Sequence, residues 1–256
     1  MVASASVAGP ASRPVGELAR PPDESSALYL ARGIEVSASR PVMTGDVFED
    51  VVIPGVDGVR GPALVLAHPC TIRDGAHLRD RVMMCAVRKG APIRSEHWLG
   101  NFGVMPLPDL LHDGGLKHRA VFDLAGRVAT ADLDLARRRA CLDEQGIVLM
   151  LQRLTFSYTR LAVDVEALHE SIAHVLEEAN LLEEWVEERA ASVGRPLHSS
   201  EIRESESEFD ALMLQVDPVA GTSNRQRLND PMARASVRRL VRRTLVGWPP
   251  TATDGE

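Results

Sequence analysis

The chain has 256 residues, 45% hydrophobic and 25% charged, with a net charge of −7. That is an ordinary globular balance with enough apolar residues for a sizeable core, so a wholly disordered chain is excluded. Aromatic residues make up only 4%, too few for a broad base-stacking platform, and the acidic balance excludes a generally adhesive nucleic-acid binder while leaving local basic patches open.

Residues 1–26 are rich in Ala, Ser, Pro and Gly and are expected to form an unstructured leader. They lack a basic start followed by an apolar core, so no secretory signal is expected, and no stretch reaches the length of a membrane span. The three cysteines, Cys70, Cys85 and Cys141, have no paired spacing; they predict neither a disulfide framework nor a zinc site, and a reducing, cytoplasmic setting is expected.

Residues 27–135 read as short strands. "GDVFEDVVIP" is a β-type run closed by a turn cluster, "GVDGVRG". "PALVLAHP" is a continuous apolar run of strand length, which predicts a strand buried on both faces. "CTIRDGAHLRD" reads as a polar loop and "RVMMCAV" as the next strand. "FGVMPLPDLL", "KHRAVFDLAG" and "GRVATADLDL" read as three more, with turns at Asp113-Gly114-Gly115 and Ala125-Gly126. Close spacing of short strands predicts a small barrel or a strongly bent sheet.

Residues 136–196 read as a helical hairpin. Asp143 is a plausible N-cap for a helix carrying Ile147, Leu151, Leu154, Tyr158 and Leu161 on one face. A second helix starts near Asp164, with a heptad-like apolar face from Val165 to Val186, an acidic opposite face and a stop at Gly194. Residues 197–229 read as a polar loop. Asp230-Pro231 then opens a basic amphipathic helix over 230–248, with Val237, Leu240, Val241, Thr244 and Trp248 on one side. The acidic and arginine-rich helices are expected to neutralise one another within the chain; a homodimer or a partner protein meeting the helical half is the other reading.

Three groups could carry chemistry. His68 and Cys70 stand two apart, so a strand running through them would place both on one face, where an imidazole can draw a thiol toward thiolate; two buried space-fillers ending a strand is the plainer reading, with Pro69 pointing to an edge or a bulge. His77, His97, His112 and His118 are scattered without metal-ligand spacing, so neither a metal nor a cofactor is expected. Arg60, Arg73, Arg79, Arg81, Arg88 and Lys89 fall at strand ends, where a barrel rim could hold phosphates.

One stretch also carries a resemblance. Gly45-Asp46, the loop to Arg60, the run "PALVL" over 62–66 and the apolar strand over 82–87 resemble the start of the MazF/PemK-like toxins, over residues 43–90. The resemblance implies a small SH3-like barrel and metal-independent RNA cleavage, in which a strand-two arginine and a residue ending strand three serve the transition state and a 2′-hydroxyl attacks. Arg60 matches the first; Arg88 stands where the family has a threonine, and the helical half has no counterpart there. The expected fold is therefore α+β, a small SH3-like β-barrel followed by an appended α-helical region. Its candidate catalytic residues are Arg60, Arg88, His68 and Cys70, and its expected partner is RNA.

Overall fold

The computed structural model describes residues 18–22, 24–112 and 114–246. Its strands are β1 (Tyr29–Arg32), β2 (Asp46–Val51), β3 (Gly61–Val65), β4 (Arg73–Asp74), β5 (His77–Leu78), β6 (Arg81–Lys89), β7 (Val104–Pro106), β8 (His118–Ala129) and β9 (Arg138–Leu142). A one-turn helix, α1 (Pro69–Ile72), interrupts them. Then come α2 (Glu144–Thr159), α3 (Val165–Val193), α4 (Ser199–Leu214), α5 (Asn224–Arg227) and α6 (Pro231–Val246). Seven strands form one curled antiparallel half-barrel in the order β1-β9-β2-β3-β6-β8-β7; β4 and β5 make a separate small hairpin.

Both faces of the sheet are covered. Ala63, Leu64 and Val65 of β3 are fully buried, as a strand with two buried faces requires. On one face Leu64, Cys85, Val87 and Phe122 pack with Ile147 and Leu151 of α2 and with Ile172 and Leu176 of α3. On the other face Phe48, Ala63, Val65, Val82, Met84 and Val128 form a second core. A third lies between helices, where Leu182, Trp185 and Val186 of α3 meet Phe209 and Met213 of α4 and Val237 and Val241 of α6.

The helix ends follow their caps. Asp143 accepts from the Gly146 N–H at 2.6 Å and Asp164 from Ala167 at 3.0 Å, and Gly194 ends α3 at φ +72°. Asp230 accepts from the Met232 N–H at 2.9 Å where Pro231 opens α6. The heptad-like face of α3 is spent inside the chain: its first half enters the sheet–helix core and its second half the helix–helix core. Its acidic face meets the arginines of α6, with Arg238 donating to Glu177 at 2.7 Å and Arg242 to Glu184 at 2.8 Å.

Several elements differ from the sequence expectation. The leader is expected to extend to residue 26, yet the Ala19 N–H donates to Gln152 Oε1 at 2.7 Å and Ala19 packs on the core; residues 1–17 lie outside the described residues. The sheet half runs to Leu142, not to 135, because β9 slots between β1 and β2. The two strands expected around Ala125-Gly126 are one strand, β8, with no turn: a side chain at Gly126 would come within 2.7 Å of the Pro54 carbonyl oxygen, so the glycine admits a neighbouring backbone. The polar loop expected over 197–229 contains α4 and α5. The His198 N–H donates to Glu201 at 2.7 Å at the start of α4. Partly buried Ile202 and buried Ser205, Phe209, Leu212 and Met213 recur at helical spacing among the charges. Burying each large apolar side chain contributes about 1.5–3 kcal/mol, which outweighs the weak helix preference of the serines and acids around them. On α6, Thr244 is exposed rather than on the packed side, and Trp248 lies outside the described residues. Among the described residues no helix is long and apolar enough to cross a membrane.

Candidate functional site

The opening of β3 sets one end of the half-barrel. Val51 of β2 opposes Gly61, and the β3–β6 pairing continued to that end brings Arg88 over Gly61, whose added Cβ would lie 3.5 Å from Arg88 Nη1. Arg60 is exposed. Its guanidinium donates to the Asp50 carbonyl at 3.0 Å and lies 3.4 Å from the Asp50 carboxylate. Arg88 donates to both carboxylate oxygens of Asp57, at 3.1 and 2.8 Å.

A bulge between Cys85 and Val87 then decides what stands beside Arg88. It brings Arg119 of β8 directly opposite Arg88 and His118 opposite Lys89. Like charges facing each other across a ladder repel unless an anion sits between them. Arg119 lies along the backbone of Gly90, where any Cβ would collide with its guanidinium, and the Gly90 N–H donates to the Lys117 carbonyl at 2.9 Å. Arg60, Arg88, Lys89, Lys117 and Arg119 therefore all lie at one end of the sheet, with Arg88 and Arg119 on one face and Lys89 on the other; Arg60 and Arg88 meet Asp50 and Asp57. Lys89, Lys117 and Arg119 have no ion-pair partner among the described residues. The result is a locally positive end on an acidic chain, able to hold phosphate or another polyanion.

The other end of β3 is different. The strand stops at Val65, before His68-Pro69-Cys70, and β3 is a central strand. The expected edge or bulge at Pro69 gives way to a helix start, with His68 as N-cap and Pro69 at the first helical position. His68 and Cys70 thus do not share a strand face. The Cys70 N–H donates to His68 Nδ1 at 3.3 Å, which leaves the proton of a neutral imidazole on Nε2. Burial lowers the pKa of His68, helped by nearby His174, and burial raises that of the exposed Cys70 thiol, so the pair is not tuned toward a thiolate. Arg73 is buried and donates to the Val42 carbonyl at 3.2 Å and to the Ala76 carbonyl. Arg79 and Arg81 are exposed.

The candidate residues thus divide between two places. Along a strand rising about 3.3 Å per residue, Arg60 is roughly 16 Å from Val65, and His68 and Cys70 lie beyond it. Arg60, Arg88 and Lys89 stand together; Arg73, Arg79, Arg81, His68 and Cys70 stand at the opposite end. The structure therefore does not bring His68 or Cys70 to Arg60 or Arg88. Among the described residues no group of three or more His, Cys, Asp or Glu could hold a metal ion.

Sequence reasoning missed Lys117 and Arg119. The one available signal was the "KHR" that opens a strand; placing it beside Arg88 needs the bulge, which no pattern in the sequence marks. No family model matches the chain, and no curated protein is significantly similar to it.

Proposed function

We propose that the protein is an RNA-binding module of SH3-like type that grips single-stranded RNA phosphates at the basic end of its half-barrel and does not cleave them. The observation that carries this reading is the trio Lys89, Lys117 and Arg119, without ion-pair partners among the described residues and at the same end as Arg60 and Arg88, on a chain of net charge −7. Retained positive charge without an internal partner favours an external anion. RNA as the source of that anion is the expectation carried by the toxin resemblance. Binding without cleavage is the reading favoured by the separation of Arg60 and Arg88 from the candidate proton carriers His68 and Cys70, since phosphoryl transfer needs such groups beside the reacting oxygen. With few aromatics, the contact is electrostatic and weakly sequence-selective. Assembly through the helical half draws less support, because the apolar face of α3 is already buried within the chain.

The test is anisotropy of a labelled single-stranded RNA over a salt series. Three phosphate contacts predict a slope of log K against log salt of about −2. Lys89→Glu with Arg119→Glu should abolish binding. Arg239→Glu with Arg243→Glu on α6 makes the same change in charge and should leave binding intact. No binding at low salt, or binding indifferent to salt, overturns the reading. RNA shortening that disappears in Arg60→Ala overturns the non-cleaving part.

A further inference from the structure

A second, separate feature lies at the junction of sheet and helices: a cavity of about 340 Å³ between α1, the β4–β5 hairpin, α3 and α5. Its size is that of a small-ligand pocket. One of its arginines is held in place before any ligand arrives. Arg225 of α5 donates through Nε to Glu178 at 2.9 and 3.2 Å, and through Nη2 to Asp210 at 2.6 Å. Gly75 makes the arrangement possible. It sits at φ +61°, and a Cβ there would lie 2.4 Å from Arg225 Nη2 and 2.6 Å from Asp210. Despite its burial, Asp210 is held below the usual carboxylate range by Arg225 and by the Ala76 N–H. Two carboxylates thus fix one edge of the guanidinium, and its Nη1 donates to no protein atom among the described residues.

Two further donors line the same cavity without partners. Arg79 is exposed; its backbone N–H is anchored to the Ile72 carbonyl at 2.9 Å, and its guanidinium has no ion pair among the described residues. The Asn229 side-chain amide makes no hydrogen bond among them either. The floor is apolar, formed by Val175, Ala179 and Leu182 of α3. Glu178 is spent on Arg225, while the carboxylate of exposed Asp74, on the rim, has no hydrogen bond or ion pair among the described residues. A rigid guanidinium edge, a mobile guanidinium and an amide suit a planar anionic head; the apolar floor suits a hydrocarbon body; Asp74 repels a second negative charge.

We propose that this cavity is a binding site for a small organic monocarboxylate, its carboxylate clamped between Arg225 and Arg79 and its apolar body laid on α3. The site is distinct from the basic end of the half-barrel and does not depend on RNA binding.

Cys70 supplies the readout. It is exposed and lines the cavity, whereas Cys85 and Cys141 are buried. Alkylation of the folded protein by iodoacetamide, an uncharged reagent, therefore reports occupancy. Phenylacetate and hexanoate should slow Cys70 alkylation in a saturable way, and 2-phenylethanol should not. Arg79→Ala, with protection measured against that variant's own unliganded rate, should raise the half-protecting phenylacetate concentration about tenfold, the effect of one charge-assisted hydrogen bond; Arg79→Lys should fall between. Failure of both carboxylates to protect, equal protection by the alcohol, better protection by inorganic phosphate, or an unchanged Arg79→Ala response overturns the proposal.

Discussion

Asp46 is the acid of the Gly45-Asp46 pair that carries the toxin resemblance, and its surroundings assign it a structural task. It is 1% exposed, and its carboxylate accepts from Arg138 Nη1 at 3.1 Å and from the Met43 N–H at 3.0 Å. Arg138, on β9, also donates to the Arg40 carbonyl at 2.7 Å and the Pro41 carbonyl at 3.3 Å. Asp46→Ala leaves a guanidinium buried without its counter-charge, which costs about 3–5 kcal/mol. In a chain of this size that is a fall in melting temperature of roughly 10 °C. Urea denaturation of Asp46→Ala, Arg138→Met and the double variant measures the coupling. Each single change strands one buried charge and the double strands neither, so the double should cost less than the two singles together by about 2 kcal/mol. Additive singles, or an Asp46→Ala cost below about 1 kcal/mol, would refute the idea that this ion pair fastens β9 to β2.

Three further outcomes are expected. Gly126→Ala places a methyl group 2.7 Å from a backbone oxygen that cannot swing away, so it should destabilise by about 1–3 kcal/mol in the same denaturation assay, and a neutral result would count against the close crossing. His68 and His174 are both held below the ordinary value of 6.5, chiefly by burial, with His174 acting on His68 and Arg234 on His174; the unfolded chain therefore takes up protons first. Their contribution to stability is complete above pH 6.5 and is lost as the pH falls through 6.5 toward the lowered folded values; His68→Gln with His174→Gln should flatten that part of the stability profile between about pH 7 and pH 5. Finally, salt should speed amide exchange in α6 more than in the buried turns of α3, because Arg238–Glu177 and Arg242–Glu184 are screened; equal exchange at all salt concentrations would show that apolar packing alone holds α6.

The parts of the fold legible in the sequence are those set by local chemistry. Asp143, Asp164 and Asp230-Pro231 open helices and Gly194 closes one, because capping depends on neighbours within four residues. The unbroken run Ala63, Leu64, Val65 reads correctly as a strand with two covered faces. The elements that were misread depend on distant partners. β9 begins with two arginines and looks like the approach to a helix; Arg138 can be buried only because Asp46, 92 residues earlier, faces it. α4 hides Phe209 and Met213 among serines and acids, and its apolar stripe matters only once Trp185 of α3 lies against it, with rings 5.8 Å apart. The candidate site follows the same division. Arg88 at the end of a strand was visible, whereas Arg119 opposite it depends on a register shift, and the fixed edge of Arg225 depends on three separate elements.

The strand order has a consequence for how the chain matures during synthesis. β1 is among the first strands to emerge, yet its partner is β9, with Tyr29 opposite Leu142. β2 likewise waits for β9 along its second edge. Until residue 142 has left the ribosome, the growing chain carries one strand with no neighbour and another with an open ladder of N–H and C=O groups, the geometry that invites pairing with other chains. α2 starts two residues after β9 ends, so the strand that seals the sheet and the helix that roofs it arrive almost together. A truncation before Arg138 would therefore be expected to yield an aggregation-prone fragment rather than a smaller folded barrel, because five residues, Arg138–Leu142, supply the neighbour that both β1 and β2 lack.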